Sequence, residues 1–214
     1  MSNLHHEASQ NATPEALARL LEHPALWRGR SAARIPTVSS GFAALDAALA
    51  GSGWPRSGLV EVLTPQLGIG ELALFMPALA ALSHEPVARW CTWVAPPFMP
   101  FAPGLATHGI ALERVLVVHT KKPLWAFEQA LGSGACAAAL AWVRQAGARE
   151  VRRLQLATER GRTLGVLFRE PGRTRESNCA ALRLRLAPCE SGIRITFVKS
   201  RGGMRGSLDL RWQS

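Results

Sequence analysis

Gly58–Leu82 reads GLVEVLTPQLGIGELALFMPALAAL, and its pattern indicates the fold class of the chain. It opens with Leu59-Val60-Glu61-Val62-Leu63, a short apolar run with β-branched residues that predicts a buried strand. The loop TPQLGIG follows, and its proline and two glycines interrupt regular structure. The apolar run from Glu71 to Leu82 then predicts a long helix. A strand, a glycine-containing loop and a helix in this order form the setting of a phosphate-binding loop.

Strands and helices alternate along the rest of the central region. Four further apolar runs predict strands, at Trp90–Ala95, Val115–Val118, Ala135–Val143 and Leu164–Phe168. Helices are predicted before and between these strands, at Phe42–Leu49, Leu105–Gly109, Leu124–Leu131 and Val151–Arg160. Alternation of this kind predicts an α/β fold, with a mostly parallel sheet flanked by helices on both faces.

The two ends of the chain carry different elements. Thr13-Pro14-Glu15 has residues typical of a helix start, which predicts an N-terminal helix. We assign residues 1–34 to a polar tail, this helix and a basic linker, 35–177 to the core domain, and 178–214 to a basic extension. Within the extension, arginines alternate with apolar residues at 182–186 and again at 193–197, which predicts an antiparallel hairpin with one buried and one basic face. A basic loop at 199–203 and a last strand at Leu208–Trp212 complete the prediction.

The central loop lacks the residues that phosphate chemistry requires. An ATP-binding loop of the GxxxxGK[ST] type uses its Lys for the outer phosphates and its Ser or Thr for Mg²⁺. Glu71 and Leu72 stand at those two positions here. The strand Ala135–Val143 ends without the carboxylate that orients Mg²⁺, and Ala95-Pro96-Pro97 offers no acid to activate water. We therefore predict no ATP hydrolysis, no catalytic residue and no bound cofactor.

Composition and cysteine spacing exclude several classes of protein. Hydrophobic residues make up 48% of the chain and charged residues 19%, which is typical of a globular domain. No apolar run reaches the roughly 18 residues of a membrane span, and the polar N-terminus has no signal-peptide core, so we expect a cytoplasmic protein. The four cysteines have no CxxC spacing and the six histidines are scattered, so we predict free thiols and no metal site.

The positive charge is concentrated in the last third of the chain. Residues 1–143 carry nine basic and nine acidic residues, whereas residues 144–214 carry 16 basic and 6 acidic residues, which accounts for the whole net charge of +10. This asymmetry predicts an acidic partner, either nucleic acid or an acidic protein surface, unless it is ordinary solvated surface. The predicted partner-binding or nucleic-acid-binding residues are Arg183, Arg185, Arg194, Lys199, Arg201, Arg205 and Trp212.

Four other tryptophans allow two interpretations, which are base stacking and core packing. Exposed indoles can serve as stacking platforms for bases, whereas buried indoles pack in the core or at its rim, and packing is the more common role. The residues concerned are Trp54, Trp90, Trp93 and Trp142.

Several segments resemble RecA recombinases. Ser40–Asp46 and Gly58–Val62 are similar to the stretch that precedes the phosphate-binding loop of RecA. Gly109–Leu116 resembles the segment that enters its third strand, and Ser133–Cys136 resembles the start of its Walker B strand. The resemblance implies a RecA-like form of the α/β fold.

A second set of segments covers almost the whole chain, from residue 35 to residue 212. These segments are Gly51–Arg56, Gly68–Leu72, Ala95–Pro97, Glu128–Leu131 with Ser133–Cys136, Arg152–Ala157 and Arg201–Gly203. They resemble the ImuA family, the RecA-like and SulA-like proteins of bacterial damage-inducible mutagenesis cassettes. The resemblance implies a non-catalytic accessory role in SOS-induced translesion DNA synthesis. It implies an ImuB-like inactive Y-family polymerase relative and RecA as partners, an error-prone replicative-type polymerase as an indirect partner, and DNA as a further candidate.

Two alternatives stay open. SulA, the SOS-induced inhibitor of the division protein FtsZ, resembles the core from Gly58 to Phe168, which implies a division inhibitor acting on FtsZ. The segments outside that core, 1–50 and 178–214, favour ImuA over SulA. A nucleotide hydrolase is the third class, and the missing phosphate-binding and metal-binding residues count against it.

Overall fold

The computed structural model of the chain describes residues 36–171, 179–190, 192–200, 202 and 205–211. The predicted N-terminal helix and basic linker lie outside these residues, as do Arg201 and Trp212. In the part of the chain so described, no helix is both long enough and apolar enough to cross a membrane.

The described strands form one small ladder and one large sheet. β1 (Thr37–Val38) pairs with β2 (Trp54–Pro55) in an antiparallel ladder. The large sheet contains β3 (Gly58–Leu63), β4 (Trp90–Val94), β5 (Val115–Val118), β6 (Cys136–Trp142), β7 (Leu164–Arg169), β8 (Leu182–Cys189), β9 (Gly192–Ser200) and β10 (Gly206–Arg211). Their order is β10-β9-β8-β3-β7-β6-β4-β5. The six strands from β8 to β5 are parallel, and β9 and β10 are antiparallel to their neighbours.

Helices precede and connect the parallel strands. They are α1 (Ala43–Ala48), α2 (Met76–Ser83), α3 (Ala102–Thr107), α4 (Pro123–Gly132) and α5 (Ala148–Gly161), with a 3-10 turn at Leu112–Arg114. The predicted α/β fold with a mostly parallel sheet flanked by helices is confirmed. The predicted antiparallel hairpin is also confirmed, because β8 pairs with β9 over almost its whole length.

The helix after the central loop begins later than predicted. The sequence predicts its start at Glu71, whereas α2 begins at Met76. The intervening residues form four-residue turns, with Ala73 N–H donating to Gly70 O at 3.1 Å and Phe75 N–H donating to Leu72 O at 3.0 Å. The side chain of Glu71 points back into the loop, which keeps this segment out of the helix.

The sheet separates two apolar cores. Val60 and Val62 of β3 face one core, which α2 fills with Leu79 and Leu82. Leu59, on the opposite face of the same strand, packs in the second core, to which α4 and α5 contribute Phe127, Leu131, Val151 and Leu154. The alternation along β3 therefore buries it on both faces, as expected for a central parallel strand.

The C-terminal strands bury one face, and their other face is exposed or half-buried except at Arg183. The predicted buried face is confirmed, since Leu182, Leu184, Leu186, Ile193, Ile195 and Phe197 all lie in the first core. The prediction of a loop from 199 is wrong for its first two residues, because Lys199 and Ser200 continue β9. They pair with Arg183 and Leu182 of β8, and this pairing extends the strand.

The cysteines and Asp46 are further polar groups whose surroundings the structure describes. All four cysteines are free, and burial raises the pKa of the Cys91 thiol to about 12. Asp46 plays a structural part, because its carboxylate accepts hydrogen bonds from Ser39 Oγ at 2.5 Å and from Ser40 N–H at 2.8 Å. Desolvation opposes ionisation of Asp46, but these hydrogen bonds outweigh it and lower the pKa of the carboxyl.

Candidate functional site at the carboxyl edge of the sheet

The carboxyl ends of the parallel strands meet at one edge of the sheet, where α/β proteins bind their ligands. The loops after β3, β4 and β6 form two adjoining clefts there, of about 420 and 330 Å³. Leu67, Pro97 and Trp142 line both clefts. This edge is therefore the candidate site, and its chemistry depends on what the loops present.

The side chain of Glu71 closes the loop that follows β3. Its carboxylate accepts hydrogen bonds from the N–H of Gly68, at 3.0 and 3.1 Å, and from the N–H of Ile69 at 3.1 Å. Gly68 has a φ of +83°, a left-handed conformation that glycine adopts without strain. Convergent backbone N–H groups of this kind normally bind an anion from outside the chain. Here the buried Glu71 carboxylate is that anion, so the loop is closed to phosphate.

Replacing Glu71 tests this arrangement. Glu71→Lys is expected to lower the free energy of unfolding by about 2–3 kcal/mol, because the loop N–H groups lose a charged acceptor and face a cation. Urea unfolding measures the loss. Glu71→Gln is the matched control, since its amide oxygen still accepts these bonds, and it should lose less than half as much.

The lysine variant also tests the absence of ATPase chemistry. We expect no phosphate release from ATP by Glu71→Lys, with or without single-stranded DNA, because Leu72 still offers no ligand to Mg²⁺. A rate above background in either the wild-type protein or this variant would contradict the non-catalytic interpretation.

Aromatic side chains fill the strand ends where an ATPase needs carboxylates. Trp142, at the end of β6, stacks on Phe168 with ring centroids 5.0 Å apart and lies 5.7 Å from the ring of Trp93. Phe168 meets Phe75 edge-on at 5.8 Å, and Phe75 stacks on Trp54 at 4.6 Å. The packing interpretation is thus confirmed for three of the four tryptophans. Among the residues the structure describes, no group of three His, Cys, Asp or Glu is placed to hold a metal ion.

The segment after β4 presents apolar side chains to solvent. Phe98, Met99 and Phe101, which we call the apolar loop, are 76%, 72% and 73% exposed. Ala95 turns the chain out of the sheet with a φ of +49°, and its N–H donates to Val118 O at 2.8 Å. A non-glycine residue in this conformation costs on the order of 1–3 kcal/mol, so the surrounding structure fixes the direction of the loop. Clustered exposed apolar side chains are typical of protein-binding sites.

The smaller cleft beside the apolar loop contains a buried hydrogen-bond donor. Trp93 lines this cleft with Leu67, Leu72 and Pro97, and its side chain is almost fully buried. Its indole N–H has no hydrogen-bond partner in the described part of the chain. A buried donor without an acceptor costs about 1–3 kcal/mol, and because this nitrogen has almost no accessible surface, a carbonyl entering the cleft would offset the cost only after neighbouring side chains move. The side chains that line the cleft beside Trp93 are mostly apolar. The cleft therefore suits an apolar peptide segment.

The exposed face of β8–β10 is a second candidate surface. Arg185 and Arg205 are exposed there, and Lys199 is half-buried in β9. Arg194 donates two hydrogen bonds to Asp209, each 2.7 Å long, and this interaction lowers the pKa of the Asp209 carboxyl. The face is thus basic, although Asp209 balances one of its arginines.

The prediction that Arg183 belongs to this exposed face is wrong. The β3–β8 register places Arg183 directly opposite Glu61, at a position covered by the second core. Arg183 Nε lies 2.9 Å from one Glu61 carboxylate oxygen, and Arg169 Nε lies 2.5 Å from the other. All three side chains are buried. Arg183 therefore holds the sheet together and does not face a partner.

Sequence reasoning missed two exposed features of this edge. It assigns no role to 96–103, although apolar residues in a segment that prolines keep out of helices and strands are a signal of exposure. It also assigns no role to Trp125 of α4, which is 60% exposed. The signal there is periodicity, because Leu124, Phe127 and Leu131 already supply the apolar stripe and Trp125 lies off it.

The fold and this edge define an α/β protein in which side chains of the chain itself occupy the phosphate-binding and metal-binding positions. The family profile described as "Cell division inhibitor SulA" matches residues 63–165. Cell division inhibitor SulA of Edwardsiella piscicida is 31% identical over 121 residues, which cover 53% of this chain and 69% of that protein. Protein ImuA of Caulobacter vibrioides is 29% identical over 206 residues, covering 83% of this chain and 84% of its own length. The chain therefore belongs to the ImuA/SulA-like family, as its sequence segments predict.

Two further comparisons are with SulA proteins. Cell division inhibitor SulA of Photorhabdus laumondii is 27% identical over 113 residues, covering 51% of this chain and 63% of that protein. The crystal structure of SulA from Pseudomonas aeruginosa is 27% identical and matches with a TM-score of 0.44, covering 52% of this chain and 98% of its own chain.

Proposed function

We propose that this chain is a non-catalytic accessory protein of SOS-induced mutagenesis and translesion DNA synthesis, which works in the cytoplasm by binding other proteins. The observation that carries the proposal is the carboxyl edge of the sheet, where Glu71 closes the phosphate-binding loop and three large apolar side chains stand exposed beside it. This edge is built for contact with a protein surface. Similarity to an ImuA protein over 83% of the chain supports the proposal.

The proposed direct partner is an ImuB-like inactive Y-family polymerase relative, which would place an apolar segment against the apolar loop and in the cleft of Trp93. RecA is the second proposed partner. The error-prone replicative-type polymerase would be reached through the first partner. Contact with DNA is proposed as an additional, weaker interaction.

The basic face of β8–β10 has a proposed part in the same function. Arg185, Lys199 and Arg205, with Arg201, Arg194 and Trp212, would meet an acidic protein surface or DNA phosphates. Phosphate contacts make binding fall steeply with salt, with a slope of roughly −0.7 per contact in a log–log plot for a single strand. If Arg185→Glu with Arg205→Glu leaves both the affinity and the salt slope unchanged, this face has no part in binding.

The proposal is tested with the full chain in two steps. The tagged protein is recovered from DNA-damaged cells of its own host, and each candidate is then purified and titrated against it. Direct binding of the ImuB-like protein or of RecA is the expected result. If neither purified protein binds at micromolar concentrations and the division protein FtsZ does, the accessory role in mutagenesis is wrong.

A SulA-like division inhibitor is the second candidate function, because the SulA family profile covers the core and the Edwardsiella relative is 31% identical. The discriminating test is overexpression in undamaged cells. Filamentous cells would favour inhibition of FtsZ, whereas cells of normal length would favour the accessory role in mutagenesis.

A further inference from the structure

An exposed tryptophan lies at the carboxyl edge of the sheet, away from the apolar loop. Trp125 is in the first turn of α4 and is 60% exposed. The helix does not need it for packing, because Phe127 and Leu131 are fully buried in the second core and anchor α4 there. A large aromatic side chain that is exposed to solvent and contributes little to the core is available to bind a ligand.

Cations lie on one side of this indole, whereas on its other side Trp125 shares a smaller cleft with Glu128, Glu150 and Arg153. Trp125 shares an open cleft of about 440 Å³ with Lys122, Arg144 and Gln145. Lys121, beside this cleft in the sequence, is exposed as well. The acidic residue nearest to Arg144 is Glu170, but the two groups are 4.0 Å apart and their side chains are 90% and 63% exposed, so this pair contributes little. The positive charge of the cleft is therefore largely available to a ligand.

These cations do not serve the stability of α4. Lys122 is the N-cap residue of the helix, and the first turn contains no acidic residue. Positive charge at this end is opposed by the helix dipole, which favours anions there. Because Lys122 destabilises the helix that it caps, we attribute its presence there to ligand binding.

We propose that Trp125, Lys122 and Arg144 form a binding site for single-stranded nucleic acid. A base stacks on the Trp125 indole, and the two cations contact the phosphates on either side of it. Exposed aromatic faces between cations are the usual means of binding single strands, whereas a duplex hides its base faces. The net charge of +10, which is carried by residues 144–214, attracts a polyanion to the protein as a whole. An acidic peptide carrying an aromatic residue is the competing ligand.

The test uses the full purified chain and a fluorescently labelled oligo(dT) of about 20 nucleotides, with no protein partner present. We expect wild-type binding at low salt and a loss of about tenfold to a hundredfold in Trp125→Ala, which removes the stacking surface. Trp125→Phe should keep most of the affinity. Lys122→Ala with Arg144→Ala should reduce the log–log salt slope by about 1.4, since each lost phosphate contact contributes roughly 0.7.

Two matched controls lie elsewhere on the molecule. Trp90→Ala removes a 40% exposed tryptophan at the opposite end of β4, and Arg160→Ala removes an exposed cation in the last turn of α5. Both should bind oligo(dT) like the wild-type protein, and circular dichroism confirms the fold of every variant.

Three results would overturn the proposal: no binding to oligo(dT) at 50 mM salt, equal binding by Trp125→Ala, or tighter binding of an acidic aromatic peptide than of the oligonucleotide. The proposal does not depend on the accessory role in mutagenesis. Because only protein and DNA are present, its failure would leave binding of the ImuB-like protein through the apolar loop untouched.

Discussion

Glu61→Ala is expected to lower the free energy of unfolding by about 3–5 kcal/mol, the largest stability effect of any single substitution considered for this protein. Glu61 is fully buried in β3, between Arg169 of β7 and Arg183 of β8, and each of its carboxylate oxygens meets one guanidinium group. Removing the carboxylate takes away the charge that both guanidinium groups contact inside the protein. Urea unfolding, followed by circular dichroism, measures the loss.

Two control variants separate charge from packing. Glu170→Ala breaks a pair that is 4.0 Å long and exposed, so its expected effect is below about 0.5 kcal/mol. Replacing all three members with apolar residues, as Glu61→Leu with Arg169→Met and Arg183→Met, should recover most of the stability, because the three buried charges are removed together. If Glu61→Ala costs less than about 1 kcal/mol, the buried ion cluster does not have the role assigned to it.

The same cluster shows what sequence can and cannot predict in the C-terminal strands. Alternation of apolar and basic residues correctly places Leu182, Leu184 and Leu186 on the buried face. It also places Arg183 and Arg185 together on the other face, yet Arg183 is buried and Arg185 is exposed. The difference depends on which strand lies alongside and where the helical layer ends, and neither is a local property of the sequence. A buried acid such as Glu61 in an apolar strand is the one available signal, since it requires a basic partner.

For the candidate site, the sequence predicts the missing phosphate-binding and metal-binding residues better than it predicts the loop conformation and the exposed apolar side chains. The residue types at 71 and 72, together with the missing acids after Trp90–Ala95 and in Ala135–Val143, predict that phosphate chemistry is lost. In the structure, Glu71 accepts hydrogen bonds from the loop N–H groups, and α2 begins only at Met76. Both features depend on the backbone conformation of the loop, which cannot be predicted from a pattern of residue types. The exposure of the apolar loop runs against the general rule that large apolar residues are buried, so a rule based on averages misses it.

Phe98→Ser with Phe101→Ser is expected to weaken binding of the ImuB-like partner at least a hundredfold while leaving the fold intact. Central aromatic residues of an interface each contribute about 2 kcal/mol or more, so two of them together account for this loss. Both side chains are more than 70% exposed, and surface substitutions of this kind change stability by about 0.5 kcal/mol or less. Phe101 is the N-cap residue of α3, where serine is a favourable replacement. Calorimetric titration of the purified proteins gives the two affinities.

The matched control for this pair is Val87→Ser, which removes an apolar side chain that is 70% exposed in the turn before β4, at the opposite edge of the sheet. It should bind the partner like the wild-type protein, because binding depends on the apolar loop itself and not on the general hydrophobicity of the surface.

Trp93→Phe is an independent test of the cleft, since it keeps the aromatic packing but removes the indole N–H, which has no acceptor there. If a partner carbonyl enters the cleft, that variant loses about tenfold in affinity, which corresponds to one hydrogen bond of about 1 kcal/mol or slightly more. Should the loop variant bind as tightly as the wild-type protein, the docking surface lies elsewhere, and the basic face of β8–β10 becomes the first place to look.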